Sequence, residues 1–152
     1  MDNNPIKIVV KQDIPLTFEA ISTVFYIQIG DFCFPDSEWT DLSFSVLQMW
    51  TYKLVSATSQ SIDLYFLDGP FWLKIQQLRD GEINLCFMHD DKMIRQEVSA
   101  LNRLYIALID AYDQLLSIVR NEHIEDKKKA GLSKDITGSI SALKAKLLTN
   151  DS

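Results

Sequence analysis

Residues 61–88 read SIDLYFLDGPFWLKIQQLRDGEINLCFM, and the periodicity of this stretch decides the fold. From Ser61 the apolar residues alternate, with Ile62, Leu64 and Phe66 on one side and Asp63, Tyr65 and Leu67 on the other, which is the two-residue period of a strand. Asp68-Gly69-Pro70 ends the run at a tight turn, and Phe71 to Leu78 leads back. Arg79-Asp80-Gly81-Glu82 then carries the Asp-Gly pair that favours a hairpin, and Ile83 to Met88 supplies a third strand. The segment is therefore expected to be an antiparallel meander, and its apolar face needs a cover.

Upstream, Ile6 to Val10 reads as a short strand, Ile14-Pro15 interrupts a link, and Ala20 to Ile29 is rich in β-branched and aromatic residues, as strands are. Gly30-Asp31 breaks that run, and Phe34-Pro35-Asp36-Ser37-Glu38 has the residues of a connection. Trp39, Leu42, Phe44, Val46, Leu47, Trp50 and Leu54 fall mostly three and four apart, which predicts a helix over 41–57 with Thr40 or Asp41 as its N-cap.

Downstream, Val98, Leu101, Tyr105, Leu108, Tyr112, Leu115 and Val119 predict a long amphipathic helix from Met93 to Glu122, capped by Asp90 or Asp91. Its counterface, Arg103, Asp110, Asp113 and Gln114, is expected to be solvated. Residues 121–134, with Lys127-Lys128-Lys129 and Gly131, read as a polar connection. Ile136, Ile140, Leu143 and Leu147 mark a last helix, with Asp135 at its start and Lys144 and Lys146 toward its end. The order is β-β-α-β-β-β-α-α: an α+β domain spanning residues 1–152, with a mostly antiparallel sheet of about five strands covered by the long helix and the C-terminal helix.

The charge is unevenly distributed. The chain carries a net charge of -6. Between Gln12 and Leu73 eight carboxylates, Asp13, Glu19, Asp31, Asp36, Glu38, Asp41, Asp63 and Asp68, face one base, Lys53, for a segment charge of -7, and the remainder sums to +1. Nucleic acid is a poor partner for such a chain, because phosphate binding requires a basic footprint. The N-terminus has no basic region, and Ile8-Val9-Val10 is too short for a signal core or a membrane span, so a cytoplasmic location is expected. Cys33 and Cys86 lack metal or redox spacing and sit in apolar strand-like stretches, where reduced thiols act as small hydrophobes.

No motif with catalytic spacing is present: no G-x-S-x-G, no Gly-rich loop opening a helix, no H-E-x-x-H and no paired C-x-x-C. His89, beside Asp90 and Asp91, is the best single candidate for a base or a ligand, with Asp68 as a further carboxylate, but its place between a strand and a helix suits a cap region better. His123 falls near a helix end, where the dipole favours a cation. Asp31, Asp36, Glu38 and Asp41 do not have the alternate-position ligands and central glycine of a calcium loop. The sequence thus asks for no catalytic residue, metal or cofactor. What it offers is an acidic, aromatic loop, Asp31 to Asp41. Trp39 there is either a core anchor or an aromatic contact, and Asp31, Asp36, Glu38 and Asp41, joined by Asp63 and Asp68, are candidates to steer a basic partner.

Phe34-Pro35, Trp39-Thr40-Asp41, Val46-Leu47, Trp50 and Tyr65-Phe66-Leu67-Asp68-Gly69-Pro70 resemble the small α+β immunity proteins encoded beside bacterial polymorphic or contact-dependent toxins, over residues 22–90. The resemblance implies a cytoplasmic antitoxin that binds and occludes a cognate toxin domain, without catalysis. It carries over no toxin-contact residue, since partner-reading positions differ among such proteins. Trp39, Trp50 and the Asp68-Gly69-Pro70 turn look like packing and turn determinants of the family. The acidic excess independently suits inhibition of a basic enzyme such as a nuclease. The alternative expectation is a small acidic secretion or assembly chaperone that holds an extended client along an open sheet edge.

Overall fold

A computed structural model describes residues 5–12, 21–122 and 126–150, the side chains of 148–150 excepted. His123, Asp13 and Glu19 lie outside the described residues. The elements run β1 (Ile6–Lys11), β2 (Thr23–Ile29), β3 (Phe32–Phe34), β4 (Thr40–Asp41), α1 (Ser43–Val55), β5 (Ser61–Tyr65), β6 (Phe71–Arg79), β7 (Glu82–His89), β8 (Lys92–Ala100), α2 (Leu101–Asn121) and α3 (Asp126–Asn150). The class is α+β and all strand pairing is antiparallel, but the strands form two four-stranded sheets instead of one. The first has the order β1-β2-β3, with β4 also on β2. The second is the meander β5-β6-β7-β8.

Three expectations about the bounds of the elements also change. The acidic loop is partly sheet, because Phe32–Phe34 and Thr40–Asp41 both pair with β2, in registers Ile27↔Phe34 and Thr23↔Asp41. Neither Thr40 nor Asp41 caps α1, whose N-cap is Leu42 without a side-chain bond.

Residues 92–100 are a strand, not the start of the long helix. Asp90-Asp91 is the two-residue turn of a β7–β8 hairpin closed by His89↔Lys92, with Asp90 at φ 54°, and it caps no helix. Met93, Ile94 and Val98 fit a helical period as well as a strand edge. Pairing with β7 decides between them, since tertiary partners override weak local preference.

Third, the Lys127–Lys129 run is helical. It lies in the first turn of α3, and Asp135 is mid-helix. Ile136 and Leu143 of α3 are buried in the core, while Gly131 and Gly138 have no neighbour within 4 Å of a built Cβ, so the polar face that reads as a loop is a solvated helical face.

One contiguous core draws on both sheets and all three helices. Its hub is Phe66, whose ring meets Phe25, Phe34, Trp39 and Trp50 at centroid distances of 5.8, 5.7, 6.3 and 5.2 Å. α2 lies along β1, and Gln114, expected in solvent, bonds that strand's outer edge: Val10 N–H donates to Gln114 Oε1 at 3.0 Å and Gln114 Nε2 donates to the Ile8 carbonyl at 2.9 Å. Between α1, α2 and α3 the buried Tyr112 hydroxyl sits 2.7 Å from Thr51 Oγ1 and accepts from Gln48 Nε2 at 3.0 Å. Burial pushes its pKa above the ordinary tyrosine value. Burial likewise raises the Cys86 thiol, with nearby Lys74 opposing. No helix among the described residues is long and apolar enough to cross a membrane.

Candidate functional site

The β3–β4 loop and the β5–β6 turn are locked together by Asp41. The residue is 4% exposed; Oδ1 accepts the Leu42 N–H at 2.8 Å, and Oδ2 accepts the N–H groups of Leu67 (3.1 Å) and Asp68 (3.2 Å) and Trp39 Nε1 (3.3 Å). A carboxylate so supplied is a structural acceptor for two loops. Asp41 is therefore withdrawn from the candidate contacts.

Trp39 is half-buried. Its ring meets Phe66 and, at 5.3 Å, Phe71 edge-on, and a Cβ placed on Gly69 would stand 2.8 Å from Trp39 Cη2. Gly69 adopts φ 82°, a conformation that L side chains resist, so the turn needs glycine for its backbone and for the indole it receives. Trp50 is fully buried and donates through Nε1 to the Tyr65 carbonyl at 2.8 Å. Trp39, Asp41 and Gly69 are thus one clasp, and Trp50 packs beside it against Phe66.

Around the clasp lie exposed carboxylates. Asp36 Oδ1 accepts the Glu38 N–H at 2.8 Å, and the Asp36 carbonyl accepts the Trp39 N–H at 3.3 Å, which fixes the loop with both side chains outward. Asp68 is exposed on the turn whose amides Asp41 holds. That turn in turn holds the β7–β8 tip: Asp90 N–H donates to the Pro70 carbonyl at 2.9 Å, Trp72 Nε1 donates to the Asp90 carbonyl at 2.6 Å, and the His89 ring stacks on Phe71 at 4.8 Å. Asp36, Glu38, Asp68, Asp90 and Asp91 are accordingly carried at one end of the molecule by three linked loops. Among the described residues no lysine or arginine nitrogen lies within 4.0 Å of these five carboxylates.

The other candidates lie elsewhere. Asp31 is exposed at the β2–β3 tip, at the far end of β3 from Asp36, beside Phe32, whose ring is covered by the Arg95 guanidinium at 4.7 Å. Asp63 is half-buried in mid-β5, directly across from Lys74, with Lys53 Nζ 2.8 Å from its carbonyl. It belongs to the sheet face, not to the acidic loops. Asp90 and Asp91, expected as helix caps, join this end because the segment after them pairs with β7, a long-range fact that the helical spacing of Met93 and Val98 hides. His89 stacks on Phe71 and makes no hydrogen bond to a carboxylate among the described residues. No group of three His, Cys, Asp or Glu among the described residues is placed to hold a metal ion. No protein-family model, curated protein or solved structure matches this chain.

Proposed function

We propose that this chain is an immunity protein, an antitoxin that binds a cognate toxin domain and occludes it, with a basic nuclease as the toxin class. One observation carries the reading: five exposed carboxylates with no lysine or arginine nitrogen within 4.0 Å among the described residues, on three loops tied to each other by the Asp41 carboxylate and the Asp90–Pro70 backbone bond and to the core by the Trp39–Asp41–Gly69 clasp. A rigid acidic end of this kind complements a basic, phosphate-binding cleft. It would accelerate association by steering and lose no loop entropy on docking. The work is done by contact, with no chemical step.

The test uses the toxin domain encoded beside the gene and follows its association with this chain as salt is varied. Replacing Asp36, Glu38, Asp68, Asp90 and Asp91 by Asn or Gln should slow association at least ~10-fold at low salt and flatten the salt dependence, given ~1.5–7 kcal/mol for close interfacial charge pairs. The double variant Asp31→Asn with Asp63→Asn serves as the control and should bind as the parent does. Unchanged kinetics in the five-fold variant would refute the assignment of the surface.

A chaperone reading draws on a different feature, the outer edge of β8, along which an extended client would add as a strand.

A further inference from the structure

The two sheets have three long edges, and the molecule treats them differently. On β1 the Gln114 amide occupies the outward N–H of Val10 and the carbonyl of Ile8, as a neighbouring strand would. On β5 the carbonyls of Asp63 and Tyr65 accept Lys53 Nζ and Trp50 Nε1, both at 2.8 Å. The third edge is β8, nine residues long, and among the described residues no side chain bonds its outer backbone. This same strand exposes Met93, Ile94 and Val98 at 52, 51 and 52%. An unpaired edge with apolar side chains is a template for another strand.

We propose that β8 pairs with the β8 of a second copy of this chain across a two-fold axis, joining two four-stranded sheets into one of eight strands. In an antiparallel pair a two-fold axis must pass between a residue and its own copy, and the charges choose which residue. Centring on Arg95 or on Glu97 sets like charges against each other. Centring on Gln96, the midpoint of Lys92–Ala100, sets Arg95 opposite the second copy's Glu97 and Ile94 opposite its Val98, each twice. Opposite charges and β-branched pairs at facing positions are what stabilise neighbouring strands.

Arg95 Nε already donates to Glu97 Oε2 at 2.8 Å within one chain, and its remaining N–H donors are free to reach the facing carboxylate, so the pair becomes a four-charge network. The register shift between Phe87 and Met88 makes Ile94 the extra residue of a bulge, which turns both Met93 and Ile94 outward. Such bulges are one device by which edges avoid indiscriminate pairing, and here the bulge leaves Arg95 to Glu97 regular at the centre. The pairing is independent of the immunity reading.

The experiment is sedimentation equilibrium of the full chain from about 1 to about 500 μM, the range in which a small interface equilibrates. A monomer–dimer equilibrium is expected. Val98→Lys should raise the dimer Kd at least ~10-fold with an unchanged circular dichroism spectrum and melting temperature. Arg95→Glu and Glu97→Arg should each abolish self-association. A mixture of the two should form a heterodimer, because every facing pair is then of opposite charge; misfolded variants would give no such rescue. A chain that stays monomeric throughout the range, a dimer indifferent to Val98→Lys, or a mixture no more associated than its components would overturn the proposal. So would a monomer whose β8 amides are protected from exchange only when an extended client peptide is added.

Discussion

The Asp41 clasp makes a sharp energetic prediction. In Asp41→Ala the N–H groups of Leu42, Leu67 and Asp68 and the Trp39 indole lose an acceptor now 2.8, 3.1, 3.2 and 3.3 Å away. A bond to an ionised acceptor contributes ~1.5–3 kcal/mol and an orphaned buried donor costs ~1–3 kcal/mol. Donors at the solvent side of the turn recover part of this from water, which leaves a net loss of ~3–5 kcal/mol, in the range reserved for broken buried networks. For a chain of 152 residues that lowers the melting temperature by roughly 8–15 °C. Asp41→Asn keeps the shape and one acceptor oxygen while turning an amide toward N–H groups, and should lose about half as much. Differential scanning calorimetry of the three proteins reads both effects. A drop below ~2 °C for Asp41→Ala, or equal losses for the two variants, would show that the carboxylate does not hold the loops.

Three further outcomes follow from contacts elsewhere in the fold. Gly69→Ala combines a strained φ with a Cβ 2.8 Å from Trp39, and should cost ~2–3 kcal/mol in chemical denaturation together with a shift in tryptophan fluorescence as the indole is displaced. Gln114→Leu removes both bonds from the β1 edge; stability should fall by ~1–3 kcal/mol, and the Val10 amide should exchange with solvent markedly faster by NMR. For Tyr112 the folded chain holds the phenolic proton more tightly than the unfolded one. That contribution is complete below about pH 10, where both states are protonated, and is lost as pH rises above it toward the higher folded value. Tyr112→Phe should cost ~1 kcal/mol at neutral pH and show a shallower alkaline decline in urea titrations.

The meander and the amphipathic helices were legible because their periods are long and their turns are marked. Asp80-Gly81 closes the β6–β7 hairpin in the structure, and buried Leu104, Leu108, Tyr112, Leu115 and Val119 make one face of α2. Short or unusual elements were not legible. β4 is two residues long and exists through its pairing with β2, a long-range fact that no local pattern carries. β8 has helix formers such as Gln96 and Glu97 and no buried apolar alternation, since its partner is β7 on one side only. Of the candidate surface, Asp36, Glu38 and Asp68 share the acidic end, whereas Asp31, Asp41 and Asp63 do not; linear charge counting cannot separate an exposed carboxylate from one that accepts four N–H groups.

The clasp also separates two kinds of position within the same three loops. Trp39, Asp41 and Phe66 face inward and fix the backbone, while the side chains of Ser37, Glu38, Asp68 and Asp91 are exposed and make no side-chain hydrogen bond among the described residues. Exchanging the second group alters shape and charge at the tip without disturbing the donors and acceptors beneath. Single substitutions at these positions therefore change the outer face of the tip and leave the fold beneath it in place.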